Sequence, residues 1–396
     1  MKRLLLLAPV VEPQFVGGLQ LALLDLVTQL QQLDWDVEAR IYQENDTPLA
    51  PSVPPTPAWI AAVQRSPLLL RWRQRIPAGL RLTLSALFQN HHAAIQNLRW
   101  AESRLTDPSR YDVVLVCVDT NVRGMLALAL ARHPRVAVLS LAALAEELRP
   151  SWWWLPRCRP LHPFHYRPAN AAQIRCAIFA SDRWRADAIH AGLSPQAAHT
   201  IYFGIPLPPL PQRPAAANQQ RLLWVGRLTP EKGLHLLLAA LPLLRQRFPQ
   251  LTLTAIAAQG EPTYRRLIDD LIATANLADA VSLRPPVPRA QLPALYAQHD
   301  ALFFYSINPE PVALVLMEAY AHGLPVAANH ADSPLVQDGV TCLTYHPTRP
   351  HSLVESLTRL LSSPEITTTL AARARREVEQ HYSLEAMGHH YNRLLG

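Results

Sequence analysis

Two carboxylates and two cations in the second half of the chain have the types and spacing expected of a site for a phosphorylated, hydroxyl-rich ligand. Glu310 and Glu318 lie eight residues apart in NPEPVALVLMEAYAHGLPV, residues 308–326. Arg227 and Lys232 lie five residues apart in LLWVGRLTPEKG. Paired cations hold phosphate oxygens through charge-assisted hydrogen bonds of about 1.5 to 3 kcal/mol each, and carboxylates accept hydrogen bonds from hydroxyl groups. The combination favours a ligand that carries both a diphosphate and hydroxyl groups.

A buried strand and the turn after it must position the two cations. RLLWVG predicts the strand, and Gly226 allows a tight turn at its end. Arg227 and Lys232 then emerge at the carboxyl end of the strand, where α/β folds bind their ligands. Two solvated surface cations beside a loop remain the alternative, because Arg and Lys are usually exposed.

A second strand and a helix must position the two acids. ALFFYS predicts the strand, residues 307–311 a loop, and residues 312–322 a helix that ends at Gly323. We expect Pro311 to start the helix, because a residue in the first helical turn has no intrahelical N–H bond to lose.

The start of this helix is the predicted binding element. The backbone N–H groups of Ala313, Leu314 and Val315 would be free to meet phosphate or hydroxyl oxygens. Glu310 precedes the helix, and Glu318 lies about 12 Å further along at 1.5 Å per residue. One acid could then meet the sugar and the other the ribose. The alternative is an acid favoured by the helix dipole and a partly exposed helix charge.

Glycines in the first half favour close approach of backbone to a ligand. Gly17 and Gly18 follow the first predicted strand, where the absence of a side chain lets a phosphate or sugar come near. Neither G-x-G-x-x-G nor G-x-x-x-x-G-K-[ST] occurs, which argues against a dinucleotide enzyme and against an ATP-binding P-loop.

Asp34 and Asp36 form a D-x-D, but they precede a strand and are expected at the opposite edge of the sheet from the ligand. No metal and no cofactor are predicted.

Strand and helix signals alternate along both halves and predict an α/β fold with parallel sheets covered by helices. RLLLLAPVV precedes LQLALLDLVTQLQQL in the first half, and RLLWVG precedes LHLLLAALPLLRQRF in the second. Further strands are predicted at VEARIY, DVVLVCV, VAVLSL, CAIFAS, LTLTAIA, VSLR, ALFFYS and PVAAN.

Length and composition indicate two domains. The 396 residues exceed what one hydrophobic core usually spans. The segment IPLPPLPQRPAAANQQ is dense in proline, which forbids regular structure and indicates a linker. The predicted domains are residues 1–207 and 221–375, joined by the linker 208–220, and the cleft between them is the default site.

The net charge of +7 suits an anionic partner, whether a nucleotide diphosphate, a membrane surface or a nucleic acid. No nucleic-acid-binding module is evident, so nucleic acid is not expected.

The N-terminal apolar run is interrupted by Pro9 and predicts a buried strand rather than a signal peptide. Four scattered cysteines indicate neither a zinc site nor disulfides, and a cytoplasmic location is expected; they are Cys117, Cys158, Cys176 and Cys342.

Two stretches rich in tryptophan and arginine do not follow the strand and helix alternation. Residues 59–100 hold three tryptophans and six arginines, and residues 148–167 include LRPSWWWLPRCRP. Such composition suits peripheral contact with an anionic membrane. A surface helix or lid that packs its tryptophans on its own domain is the equal alternative.

In their order, these motifs resemble the retaining glycosyltransferases of family 4, also called group 1, which have the GT-B fold. The resemblance rests on Gly17 and Gly18 after the first strand, on VGRLTPEKG, and on the two glutamates followed by AYAHGLPV. It extends over most of the chain, up to HYSLEAMGHHYNRLLG at the end. It implies two Rossmann-like domains whose parallel sheets face each other across a cleft, with a last helix over residues 376–396 that crosses back to the first domain.

The resemblance implies a metal-independent, retaining transfer of a hexose from a UDP- or GDP-sugar to a glycan, lipid-linked or small-molecule acceptor. Arg227 and Lys232 would hold the donor diphosphate, Glu310 would contact the transferred sugar, and Glu318 would hold the ribose. The first domain would take the acceptor and the second the nucleotide sugar. The further binding positions would be Gly17, Gly18, Gly226, Ala313, Leu314 and Val315.

Several positions depart from the pattern that is frequent in this family. Pro311 and Ala313 stand where glycines are common, and the usual histidine after the fourth strand is missing from VLSLAALAEEL. These departures leave a second class open, a sugar-nucleotide-binding scaffold without catalysis.

Overall fold

The structure is a computed structural model in which the chain forms two compact units. One unit comprises Met1–Ile201 with Tyr391–Gly396, and the other comprises Tyr202–His390. In the described residues each unit holds a six-stranded sheet whose strands are all parallel. The predicted α/β class with two parallel sheets is therefore confirmed. The structure describes residues 1–8, 18–41, 110–118, 135–140, 174–190, 192–210, 220–258, 260–307, 313–329 and 333–396.

The sheet of the first unit has the order β2-β1-β3-β4-β5-β6. Its strands form from continuous apolar runs, and Leu4, Leu5, Leu6 and Leu7 of β1 are all buried, as expected for a parallel sheet covered on both faces. The strands are β1 (Lys2–Ala8), β2 (Trp35–Ile41), β3 (Val113–Val118), β4 (Val136–Ser140), β5 (Ala177–Phe179) and β6 (Ala198–Thr200), with the helices α1 (Gly18–Gln32) and α2 (Asp182–His190).

The sheet of the second unit has the order β12-β11-β10-β7-β8-β9. Its strands are β7 (Arg221–Arg227), β8 (Thr252–Ala258), β9 (Val281–Arg284), β10 (Ala301–Phe304), β11 (Val326–Asn329) and β12 (Leu343–Tyr345). The helices that follow α2 are α3 (Leu234–Arg247), α4 (Pro262–Thr274), α5 (Leu292–Ala297), α6 (Leu314–Ala321), α7 (Pro350–Ser362), α8 (Pro364–His381) and α9 (Leu384–Leu395).

Both faces of the second sheet are buried. Successive residues of β7 alternate between two apolar clusters, with Leu222 and Trp224 in one and Leu223 in the other. In β10, Phe303 and Phe304 divide between the clusters in the same way. This period of two with both faces apolar explains why the strands read as uninterrupted hydrophobic runs in the sequence.

All the strands predicted from sequence are present, but the structure has two more. β6 and β12 are each three residues long and lie at the edges of their sheets. Runs this short carry no readable period, so the sequence did not reveal them.

The predicted start of one helix was wrong. The helix expected over residues 312–322 begins at Leu314, and Pro311 lies outside the described residues. Its end was predicted correctly, since Gly323 follows with a φ of 62° in the left-handed region.

Residues 376–396 do not form one helix. α8 ends at His381 and α9 begins at Leu384. Ile205 bonds to both sides of the break, because its N–H donates to the Tyr382 carbonyl and its own carbonyl accepts from Leu384. The last residues of α9 belong to the first unit.

No helix in the described part of the chain combines the length and the apolar character needed to span a bilayer. The stretches 59–100 and 148–167, for which membrane contact and packing on their own domain were equal alternatives, lie outside the described residues.

Candidate functional site

The strand order of the second sheet places a ligand crevice between β7 and β10. Counted within the unit, the order is 3-2-1-4-5-6, and the direction of winding reverses between the first and fourth strands. Parallel α/β sheets bind ligands outside the carboxyl ends of the strands at such a reversal. The loops that leave β7 and β10 hold the predicted cations and precede the helix that carries Glu318.

These two loops are bonded to each other. The N–H of Ile307, just after β10, donates to the carbonyl of Glu231 over 3.3 Å. The structure therefore brings the Arg227 to Lys232 segment beside the chain that leads toward Glu310. Glu310 itself lies outside the described residues, as does Gly17.

The backbone of the cation loop is fixed by its own strand. Pro230–Lys232 form a 3₁₀ turn, and the carbonyl of Lys232 accepts a 2.9 Å hydrogen bond from the indole N–H of Trp224, which is buried in β7. Gly233 closes the turn with a φ of 67°, and a Cβ there would lie 2.4 Å from the ring of Tyr305. Only glycine fits this position without a shift of its neighbours.

Arg227 ends β7 with its side chain 62% exposed and bonded to the carboxylate of Glu231 at 3.0 Å. Gly226 precedes it, and a Cβ on Gly226 would approach the Trp224 ring at 3.1 Å. The sequence analysis did not consider Glu231. Its spacing of four residues from Arg227 was the signal that could have identified the pair.

Buried hydrogen bonds fix the start of the loop after β10. The N–H of Ser306 donates to Oδ1 of Asn329 at 3.0 Å, and Nδ2 of Asn329 donates to the carbonyl of Ser306 at 2.7 Å. The hydroxyl of Tyr345 donates to the carbonyl of Phe304 at 3.0 Å. These contacts join the carboxyl ends of β10, β11 and β12 and give the loop a defined origin.

The N-terminal end of α6 lies two residues after the predicted start. Ala313 precedes the helix in an extended conformation, and its carbonyl accepts from the N–H groups of Leu316 and Met317. Leu314 and Val315 are the first two helical residues, and within the described residues their N–H groups have no bonded acceptor. Leu314 and Val315 thus lie in the first turn of α6, while Ala313 lies before it.

Glu318 is partly buried in α6, and one of its carboxylate oxygens is already bonded. Oε2 accepts a 2.7 Å hydrogen bond from the hydroxyl of Tyr296 in α5. Burial raises the pKa of Glu318, while the Tyr296 hydrogen bond and the charge of Arg289 oppose that rise. Neither Tyr296 nor Arg289 was identified from the sequence, and they lie 22 and 29 residues away from Glu318 along the chain.

Gly18 is the first residue of α1, the helix that follows β1. In the order of the described strands, the first sheet reverses its winding between β1 and β3. Gly18 therefore begins the helix that leaves the reversal point of that sheet.

The D-x-D motif lies where it was expected. Asp34 is in a turn with a φ of 62°, and Asp36 near the start of β2 bonds to Arg3 at 3.2 Å. Both precede the body of the strand, at the amino edge of the sheet. Among the described residues no group of three His, Cys, Asp or Glu side chains could hold a metal ion.

Residues 210–377 match the family model of the glycosyl transferases group 1. The D-inositol 3-phosphate glycosyltransferase of Thermobispora bispora is 31% identical over 189 residues, which are 46% of this chain and 42% of that protein. A GDP-mannose-dependent alpha-(1-6)-phosphatidylinositol monomannoside mannosyltransferase of Mycolicibacterium smegmatis is 27% identical over 161 residues, 39% of this chain and 41% of that protein. The part of the chain around residues 210–377 is therefore similar in sequence to group 1 glycosyl transferases. The chain spans about two fifths of the length of the curated relatives it matches.

Solved structures agree with the fold over the whole chain. Anabaena HepE, in complex with UDP and glucose, gives a TM-score of 0.62 at 20% identity and covers 100% of this chain and 99% of its own. Sucrose-phosphate synthase of Thermosynechococcus elongatus gives a TM-score of 0.68 at 19% identity and covers 100% of this chain and 98% of its own. At such identities the likeness shows the fold alone.

Proposed function

We propose that the protein is a retaining glycosyltransferase that moves a hexose from a UDP- or GDP-sugar to a glycan, lipid-linked or small-molecule acceptor without a metal. One observation supports the proposal. The Arg227 to Lys232 loop follows β7, and α6, with its first amides and Glu318, follows β10, the neighbour of β7 in the sheet. A backbone hydrogen bond joins the two loops. These elements lie in the segment that matches the group 1 family. Its chemistry suits a diphosphate joined to two sugars.

In this proposal Arg227 and Lys232 stabilise the negative charge that develops on the departing nucleoside diphosphate. The N–H groups of Leu314 and Val315 bind oxygens of the donor, and Glu318 accepts hydrogen bonds from the ribose. Glu310 contacts the transferred hexose.

The first domain takes the acceptor, and Gly17 and Gly18 are its proposed binding positions. The acceptor hydroxyl attacks the sugar from the face that the diphosphate leaves, and a phosphate oxygen of the donor takes the hydroxyl proton. The new glycosidic bond forms as the bond to the diphosphate breaks, so no protein nucleophile is needed.

Thermal-shift measurements with UDP, GDP and ADP, followed by assays of diphosphate release, test this function. We expect UDP or GDP to stabilise the protein, since a ligand at 100 times its Kd adds about 2.7 kcal/mol. The matching nucleotide hexose should then release its diphosphate when candidate acceptors are present. Stabilisation by the nucleotide without release from any donor would instead identify the non-catalytic scaffold.

Two of the acceptor classes have specific support. The named relatives act on inositol 3-phosphate or on a phosphatidylinositol mannoside. The tryptophan and arginine content of residues 59–100 and 148–167 suits peripheral contact with anionic lipid. Flotation with anionic vesicles at low salt separates the two: a protein that stays with the vesicles supports a lipid-linked acceptor, and one that does not supports a soluble acceptor.

A further inference from the structure

Tyr296 presents a fully buried hydroxyl to the acid that the proposed function assigns to the ribose. Its side chain is 0% exposed, and its hydroxyl donates to Oε2 of Glu318 at 2.7 Å. The two residues belong to different helices, α5 and α6. A buried hydroxyl needs a hydrogen-bond partner, but a backbone carbonyl would satisfy that need without placing a charged group in the interior.

A ring contact and the hydroxyl bond together restrain Tyr296. Its ring stacks on the imidazole of His322, with centroids 4.8 Å apart and planes at 16°. Nδ1 of His322 lies 2.7 Å from the carbonyl of Glu318, so the imidazole is itself tied to α6. The side chain of Tyr296 thus extends from α5 to contact Glu318 of α6 and His322 just after that helix, which restricts its rotation.

The hydrogen bond from Tyr296 gives the two carboxylate oxygens of Glu318 different functions. A carboxylate offers about four lone-pair directions over its two oxygens. With Oε2 held at 2.7 Å by the tyrosine, the rotation of the carboxylate plane is fixed. The other oxygen, Oε1, then has a defined direction in which to accept from a vicinal pair of hydroxyl groups.

We infer that Tyr296 is a positioning residue for donor recognition: its hydroxyl orients Glu318 so that this acid distinguishes a ribose from a deoxyribose. The inference rests on the proposed function, because Glu318 must face the nucleotide for the orientation to matter. It adds a specificity determinant that lies on a helix outside the two ligand loops. Tyr296 does not contact the donor in this scheme and acts only through Glu318.

The test compares binding of UDP with binding of 2′-deoxy-UDP, or the GDP pair if GDP is the nucleotide that binds. The Tyr296→Phe variant keeps the ring that stacks on His322 and removes only the hydroxyl. We expect its affinity for the ribonucleotide to fall by about 5- to 30-fold, the factor that corresponds to the loss of one buried hydrogen bond. Its affinity for the deoxynucleotide should change much less, so the preference for ribose should collapse.

Tyr320→Phe is the matched control. Tyr320 is also fully buried, lies in α6 itself, and donates its hydroxyl to the carbonyl of Leu335 at 3.0 Å. This variant loses a buried hydrogen bond of the same kind without touching Glu318. It should keep the preference for ribose whatever it costs in thermal stability.

A double-mutant cycle with Glu318→Gln identifies the route of the effect. If Tyr296 acts through Glu318, adding Tyr296→Phe to Glu318→Gln should produce no further loss of ribose preference. An additive loss, an unchanged preference in Tyr296→Phe, or an equal loss in Tyr320→Phe would each overturn the inference while leaving the proposed function intact. A native protein that binds neither UDP nor GDP would overturn both.

Discussion

The cations after β7 and the acid on α6 are held in opposite ways. Arg227 is 62% exposed and pairs with Glu231 on its own loop, four residues away. Glu318 is partly buried and bonded to Tyr296, which comes from another helix and is inaccessible to solvent. An exposed pair of the first kind contributes about 0.2 to 1 kcal/mol, so Arg227 can exchange its partner for a phosphate at small cost. The buried acid cannot move without breaking a packed contact.

This contrast indicates that the cation loop and Glu318 have different functions at the same edge of the sheet. The cation loop has a rigid backbone, fixed by Trp224 and Gly233, and an adaptable arginine side chain. The acid has an oriented side chain. A cation that contacts phosphate oxygens while their negative charge increases benefits from a side chain that can move. A carboxylate that recognises the hydroxyl groups of a sugar benefits from a fixed orientation.

Removal of a cation should have the largest effect. Arg227→Ala or Lys232→Ala should lower turnover by about 10²- to 10³-fold, because each removes stabilisation of the charge on the leaving diphosphate. Steady-state assays of diphosphate release measure it. Arg265→Ala is the matched control, since Arg265 forms a similar exposed pair with Asp269 at 2.9 Å and a spacing of four residues. Native turnover in either loop variant would refute the role of these cations.

A side chain at Gly233 should have the next largest effect. Gly233→Ala places a Cβ 2.4 Å from Tyr305 at a φ of 67°, so it combines a steric overlap with a left-handed backbone. We expect a loss of about 3 kcal/mol or more in the free energy of unfolding, measured by urea titration. Gly339→Ala separates the two terms, because Gly339 has the same φ of 67° and nothing within 4 Å of its Cβ position. An equal loss in both variants would show that the Tyr305 contact is unimportant.

Neutralising the buried acid should raise stability while it lowers nucleotide affinity. The pKa of Glu318 is raised in the folded protein, mainly by burial. Folding is therefore favoured while the carboxyl is protonated, and that contribution is lost as the pH rises through the folded pKa. At neutral pH, Glu318→Gln should be more stable than the native protein by on the order of 1 kcal/mol.

The pH dependence of unfolding provides the check on that prediction. The stability advantage of Glu318→Gln should disappear below about pH 4, the ordinary pKa of a glutamate, where the native carboxyl is protonated in both states. A Glu318→Gln variant that is less stable at neutral pH would show that the charged form is favoured in the fold.

The smallest effect is expected at Glu231. Glu231→Gln removes the charge that pairs with Arg227 but keeps a side chain of the same size. Pairs at this spacing contribute about 0.3 to 0.5 kcal/mol, so turnover should change by no more than about threefold. Turnover measured at low and high salt checks this, since screening should remove the difference. A loss as large as that of Arg227→Ala would mean that the arginine needs Glu231 to take up its working position.

Much of the framework was predictable because it depends on local pattern. The strands β1 and β7 were visible as continuous apolar runs, and Gly323 indicated the end of α6. The start of the same helix was misplaced. Pro311 is compatible with a first helical turn but does not require one, and the helix begins only at Leu314. The three-residue edge strands β6 and β12 depend on pairing with a neighbour, which no local pattern records.

The sequence by itself determined the fold class. It also determined that Arg227 and Lys232 lie at the end of a strand and Glu318 on a helix, because apolar period, turn chemistry and residue order are local properties. The tertiary structure alone decided which groups bond to them. Tyr296 and Glu318 are 22 residues apart on separate helices, and their 2.7 Å contact exists only because both helices pack in the same apolar cluster of one sheet. Sequence order carries no information about such a contact, since its energy comes from burial and packing that form only when the chain folds.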